Sequence, residues 1–133
     1  MPQVDNGSPP PNRVEIAFAT DDVAVVTLFG EHDLGRYETL MAALAEAARR
    51  ARSVVVDLSE CALVDSTTLT LLLHTQSVTR KDSGGFAVVI PPDSGSVARL
   101  AELVNLGDML PVLPSLEAAV ASVEPDRRGD PAS

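Results

Sequence analysis

Two short segments of the sequence are apolar on both faces, and this feature constrains the fold more than any other. Residues 53–58 contain three consecutive valines, and residues 86–90 form a second apolar run that stops at a pair of prolines. Strands of this kind are typical of the interior of a parallel sheet, where helices cover the strands. The sequence therefore predicts an α/β fold in which helices alternate with strands.

The remaining segments supply a hairpin, further helices and one more strand. Residues 14–18 and 23–29 have the pattern of two strands joined by a Thr-Asp-Asp turn. Helical spacing of apolar residues then predicts helices over about 34–51, 66–81, 97–104 and 115–123, with a short strand over 109–113. We predict a small mixed β-sheet of four to five strands flanked by about four helices, with right-handed crossovers.

Several local features of these elements are specific enough to test. Asp33 is expected to cap the first helix, and Ser94 or Ser96 the third. The second helix is expected to end with Gly84 and Gly85 as C-cap glycines, and residues 59–65 before it to form a short polar connection. The residues expected to face inward are Leu69, Leu72, Leu73 and Gln76 in the second helix, Val97, Leu100, Leu103 and Val104 in the third, and Leu116, Ala119, Val120 and Val123 in the last.

Composition excludes several classes of function. The chain has 133 residues and a net charge of −9, which argues against binding to nucleic acid or to anionic membranes. Residues 13–124 are expected to form one domain between disordered segments at 1–12 and 125–133. The single cysteine, Cys61, cannot form an internal disulfide and is expected to be buried near the strand–helix junction. Without a secretory signal, this favours a cytoplasmic protein.

The sequence contains no convincing catalytic, metal or nucleotide site, so we expect neither an enzyme nor a cofactor. Ser66, His32 and His74 match no nucleophile-elbow motif, and His74 lies about 12 Å from Ser66 along the same helix at 1.5 Å per residue. One cysteine and two histidines match no metal-ligand spacing. Phosphate-binding glycine motifs are absent as well.

The junction Asp65-Ser66-Thr67-Thr68 has the greatest functional interest. Here a buried strand leads through a polar connection into a leucine-rich helix, which places Ser66 at a helix N-terminus. The unpaired N–H groups and the positive end of the helix dipole stabilise an anion there. From the residues alone, simple capping by Ser66 or Asp65 explains the pattern equally well.

Four motifs taken together resemble the STAS domain, over about residues 14–123. They are Gly30-Glu31-His32-Asp33-Leu34, the strand end Val56-Asp57-Leu58-Ser59, the signature Asp65-Ser66-Thr67-Thr68-Leu69, and the closing Leu106-Gly107. A chain of this length is similar to the anti-sigma factor antagonists of bacterial transcription and stress regulation. The resemblance implies binding to an anti-sigma factor of the serine-kinase type, which then frees its sigma factor. It implies phosphorylation of Ser66 by that kinase and resetting by a phosphatase.

The resemblance also implies a partner-binding face, and one position departs from the family pattern. The expected face comprises Asp33, Asp65, Ser66, Thr67, Thr68 and Leu69. The signature glycine is replaced by Thr68, whose β-branched side chain is expected to crowd this face. Thr67 and Thr68 also become alternative phosphate acceptors. The departure leaves a second function open, a STAS scaffold or regulatory subunit of a transporter ATPase or sensory assembly without phosphorylation. The oligomeric state stays open.

Overall fold

The predicted hairpin and the alternation of strands and helices are present in a computed structural model, which describes residues 12–32, 37–93 and 95–124. The elements are β1 (Asn12–Thr20), β2 (Val23–His32), α1 (Tyr37–Arg50), β3 (Ser53–Asp57), β4 (Cys61–Val64), α2 (Ser66–Lys81), β5 (Phe86–Val89), α3 (Ser96–Leu103), a 3-10 helix (Leu106–Asp108), β6 (Val112–Leu113) and α4 (Leu116–Val123). The α/β fold with a small mixed sheet and four helices is confirmed for the described residues, with six strands instead of four to five.

The sheet has the strand order β1-β2-β3-β5-β6, with β4 attached to the far end of β2. β1 pairs with β2 in antiparallel fashion, and the other pairs are parallel. β2 pairs with two different strands along its length. Its residues Val23–Thr27 pair with β3, and its residues Gly30–His32 pair with β4. The register shifts between Gly30 and Glu31, and Gly30 has a φ of 85°, a conformation that favours glycine.

Alternate residues of the central strands enter two separate apolar clusters, which explains why these segments are apolar on both faces. Val54 and Val56 belong to the larger cluster with residues of α1, α2 and α3. Val55 belongs to the smaller cluster, where Ala119 and Val123 of α4 cover the opposite face. Burial of these aliphatic side chains is the main stabilising contribution to the fold.

Two strand predictions were wrong in detail. The segment predicted as a polar connection contains β4, a four-residue strand that pairs with the end of β2. Cys61 begins this strand and is buried, as predicted. The strand predicted over 109–113 is limited to Val112–Leu113, because the residues before it form the 3-10 helix and a turn.

The buried face of α2 differs from the predicted one. Leu72 is buried as expected, whereas Leu69, Leu73 and Gln76 are only half-buried. The buried residues are Thr68, Leu71, Leu72, Thr75 and Thr79. Threonine is tolerated inside because its hydroxyl can bond within its own helix, as Thr75 does by donating to the Leu71 carbonyl at 2.9 Å.

The inward faces of α3 and α4 are also smaller than predicted. Val97 is the buried residue of α3, whereas Leu103 is 74% exposed and Val104, which follows the helix, is 37% exposed. In α4, Ala119 and Val123 are buried as predicted, and Leu116 is exposed because it begins the helix.

The helix ends differ from the expected caps. The N-cap of α3 is Gly95, which makes no side-chain hydrogen bond, and Ser96 is the first residue of the helix. Ser94 and Asp33, the other expected caps, lie outside the described residues. After α2 the left-handed position belongs to Ser83, with a φ of 63°. Gly84 is needed for a close approach, since a Cβ there would lie 1.8 Å from the Arg52 carbonyl oxygen.

Candidate functional site

The candidate site is built on the junction between β4 and α2, where Asp65 is the N-cap. Its backbone is extended, with φ −109° and ψ 178°, and its carboxylate accepts the Thr68 backbone N–H at 2.9 Å. The same oxygen accepts the Thr68 hydroxyl at 3.1 Å. These contacts satisfy one of the unpaired N–H groups of the first turn and fix the direction in which α2 leaves the sheet.

Ser66 is the first residue of α2, and its side chain is exposed. Its backbone carbonyl accepts the Thr70 hydroxyl at 3.0 Å. Its own hydroxyl makes no hydrogen bond to any residue in the described part of the chain. Since Asp65 performs the capping, the Ser66 hydroxyl remains available to an outside group.

The three residues after Ser66 differ in accessibility. Thr67 and Leu69 are half-buried, whereas Thr68 is buried with only 3% exposure. The β-branched side chain of Thr68 therefore points into the protein, where its hydroxyl bonds to Asp65, and it does not stand on the surface that it was expected to crowd. Replacement of the signature glycine thus leaves the exposed surface at Ser66 open.

The sheet brings the C-terminal end of β2 to the same edge. His32 of β2 is the register partner of Val64 of β4, and the two strands are parallel. The C-terminal ends of β2 and β4 therefore lie side by side at one edge of the sheet. Asp33 lies outside the described residues, so its expected place on the partner-binding face remains a prediction.

A group of exposed apolar residues at the end of α3 and after it was not predicted from the sequence. It consists of Leu103, Val104 and Met109, which are 74%, 37% and 44% exposed. Helical spacing assigned Leu103 and Val104 to the core, whereas in the fold α3 lies against β4 and both side chains are exposed. Exposed apolar residues close together are typical of a surface that binds another protein.

His74 and the acidic side chains were considered from the sequence for catalysis or metal binding. His74 is an exposed residue of α2, about 12 Å along the helix axis from Ser66 at 1.5 Å per residue. Among the described residues, no cluster of three or more His, Cys, Asp or Glu side chains could hold a metal ion. No helix in that part of the chain has both the length and the apolar character needed to cross a bilayer.

Comparison with protein families decides the assignment. A family model described as "Mlab, STAS domain" matches residues 16–113, which is most of the chain. The chain belongs to the STAS domain family. The resemblance noted from the sequence motifs is therefore confirmed.

Several solved structures are similar to this STAS domain. An anti-sigma factor antagonist from Mycobacterium paratuberculosis is 28% identical, with a TM-score of 0.73 over 89% of this chain and 98% of that one. The anti-sigma factor antagonist SpoIIAA in its unphosphorylated form is 20% identical, with a TM-score of 0.68 over 83% of this chain and 95% of that one. The phosphorylated form of SpoIIAA, a Bacillus cell fate determinant, is 19% identical, with a TM-score of 0.63 over 84% and 100% of the two chains. Each of the two SpoIIAA structures has the same fold as this chain. No curated protein matches the sequence.

Proposed function

We propose that this STAS domain is an anti-sigma factor antagonist that works by binding and not by catalysis. In this proposal the unphosphorylated protein binds an anti-sigma factor of the serine-kinase type, and the sigma factor is released. Membership of the STAS family and the 28% identity to an anti-sigma factor antagonist over most of both chains support this role.

The observation that carries the proposal is the exposed Ser66 at the first position of α2. Its hydroxyl has no hydrogen-bond partner among the described residues, and Asp65 already caps the helix. A kinase can therefore reach the hydroxyl without disturbing the core. The dipole of α2 stabilises a phosphate on this side chain, so phosphorylation is compatible with the folded domain.

The same phosphate would end the complex with a closely packed partner. It adds about −1.5 to −2 charges beside Asp65, on a protein whose net charge is already −9. A partner that binds this face is expected to present groups that fit the uncharged hydroxyl of unphosphorylated Ser66. Forcing a dianion into that contact costs several kcal/mol, and each ~1.4 kcal/mol weakens the affinity tenfold.

The local structure favours Ser66 over the neighbouring threonines as the phosphate acceptor. Thr68 is buried and its hydroxyl donates to Asp65, so a kinase would have to unwind the first turn to reach it. Thr67 is half-buried. We therefore expect replacement of Ser66 by alanine to abolish phosphorylation.

Co-purification from native extract tests the proposal. The wild-type protein, Ser66→Ala and Ser66→Glu are used as baits at equal salt concentration, and bound proteins are identified by mass spectrometry. Ser77→Glu is the matched control, because Ser77 is exposed on the same helix about 16 Å farther along at 1.5 Å per residue. We expect an anti-sigma kinase on the wild type, Ser66→Ala and Ser77→Glu, and its loss on Ser66→Glu.

Two outcomes would contradict the proposal. Equal retention of the kinase by all four baits would show that charge at Ser66 does not control binding. A partner without a kinase domain that binds all four baits would instead favour the scaffold or regulatory subunit of a transporter ATPase or sensory assembly.

A further inference from the structure

A groove between α1 and α2 is separate from the Ser66 hydroxyl and has no part in the proposed switch. Its volume is about 550 Å³, which lies within the range of small-molecule sites, ~300–1,000 Å³. Leu44 and Leu71 form its floor, and both are buried. The groove is thus an apolar cleft on the surface of a strongly acidic protein.

Small side chains keep the groove open. Ala45 and Ala48 face it from α1, and their side chains are too short to fill the space toward Val78 of α2. Met41 lines the same wall and is 43% exposed. A flexible thioether of this kind adapts well to an apolar ligand.

Polar groups at the rim could hold a ligand in one orientation. Tyr37 and His74 line the groove, and within residues 12–32, 37–93 and 95–124 neither side chain makes a hydrogen bond. Arg49 lines the groove as well and donates to Glu46 at 2.7 Å. This hydrogen bond holds the pKa of Glu46 below its usual value. Within the described residues, Tyr37 and His74 are therefore the rim groups left to form hydrogen bonds with a ligand.

We propose that this groove binds an uncharged amphipathic small molecule, with an apolar chain along Met41, Ala45 and Val78 and an oxygen acceptor at Tyr37 and His74. The charge around the groove supports an uncharged ligand over an ionic one. Glu46 compensates Arg49. The acidic lining residue Asp82 follows α2 about 12 Å along its axis from His74, at 1.5 Å per residue, and is too far away to pair with a cationic head group held at His74. The net charge of −9 also repels anions from the protein as a whole.

Three probes with the same ten-carbon chain test the inference on the full chain: 1-decanoylglycerol, decanoate and decyltrimethylammonium, each below its micelle concentration. Amide chemical shifts are followed by NMR. We expect 1-decanoylglycerol to cause saturable shifts confined to residues 37–49 and 70–82. Decanoate and decyltrimethylammonium should bind at least about tenfold more weakly.

Four variants locate the ligand. Ala45→Phe fills the groove and should abolish the shifts, while Ala42→Phe is its control, since Ala42 is exposed on the same helix and does not line the groove. Val78→Phe repeats the test from α2 if Ala45→Phe does not fold. Tyr37→Phe keeps the ring and removes the hydroxyl, so the affinity should fall about threefold to tenfold for the loss of one hydrogen bond.

The remaining outcomes would overturn the inference. Tighter binding of either ionic probe would contradict the proposed ligand class. Shifts centred on Leu103 and Met109 would place binding at the exposed patch. Shifts that depend on protein concentration and not on the probe would show that a second copy fills the groove. Absence of saturable shifts with 1-decanoylglycerol would show that the groove binds no such molecule.

Discussion

Replacement of Asp65 by alanine removes the N-cap of the helix that presents Ser66, and we expect it to destabilise the domain by about 1–2 kcal/mol. One carboxylate oxygen accepts both the backbone N–H of Thr68, at 2.9 Å, and its hydroxyl, at 3.1 Å. Loss of an N-cap typically costs about 1 kcal/mol, and loss of a second hydrogen bond adds about 0.5–1.5 kcal/mol. These two terms share one acceptor and therefore do not add fully.

A second substitution separates the hydrogen bonds from the charge. Asp65→Asn keeps an oxygen acceptor at the cap and removes only the negative charge at the N-terminus of α2. We expect it to cost about 0.3–1 kcal/mol, less than Asp65→Ala. For a domain of roughly 110 residues, each kcal/mol lowers the melting temperature by about 3–6 °C.

Urea and thermal unfolding, followed by circular dichroism, measure these differences in unfolding free energy. If the m-value is the same in all variants, a change in the urea midpoint reports a change in stability. Hydrogen exchange at the Thr68 amide adds a local readout, since its protection should fall in Asp65→Ala and persist in Asp65→Asn. A stability of Asp65→Ala within about 0.3 kcal/mol of the wild type, or an equal loss of stability in both substitutions, would contradict the capping role of Asp65.

Three further substitutions and one control test the packing by the same unfolding measurements. Gly84→Ala should destabilise by more than about 2 kcal/mol, because its Cβ would lie 1.8 Å from the Arg52 carbonyl oxygen, while Gly107→Ala, with no atom within 4 Å, should be close to neutral. Ser53→Ala should cost about 1–3 kcal/mol, because the Gly85 N–H loses its 2.9 Å acceptor. Leu72→Ala, at a side chain with 0% exposure, should cost about 2–5 kcal/mol. A near-neutral result at any of the destabilising positions would contradict the packing described for it.

The strands and helices that carry strong periodic signals could be predicted from the sequence. The valine run of β3 and the apolar β5 indicated interior strands, and the structure buries them on both faces. β4 was missed although it is as short and as apolar as β5, because its pairing with the end of β2 is a tertiary contact. Non-local contacts of this kind leave no local pattern in the sequence.

The orientation of α2 was ambiguous for a different reason. Leu69, Leu71, Leu72 and Leu73 occupy nearly every side of the helix, so their spacing cannot define one face. The buried face is completed by threonines whose hydroxyls bond within the helix or to its cap.

The position of Ser66 at the start of α2 followed directly from the pattern, since the strand–helix junction and the capping residue lie side by side in the sequence. The burial of Thr68 and the exposed patch at Leu103 required the fold, because both depend on how α2 and α3 rest on the sheet.

The most direct test of the central claim compares the affinity of the unphosphorylated protein and of protein carrying phosphoserine at position 66 for the purified anti-sigma factor. Isothermal titration calorimetry at fixed salt concentration measures both dissociation constants. We expect phosphorylation to weaken binding by at least about 100-fold, equivalent to ~2.7 kcal/mol, while the circular dichroism spectrum stays unchanged. Equal affinities for the two forms would contradict the account, because the exposed hydroxyl of Ser66 would then not lie where the partner binds.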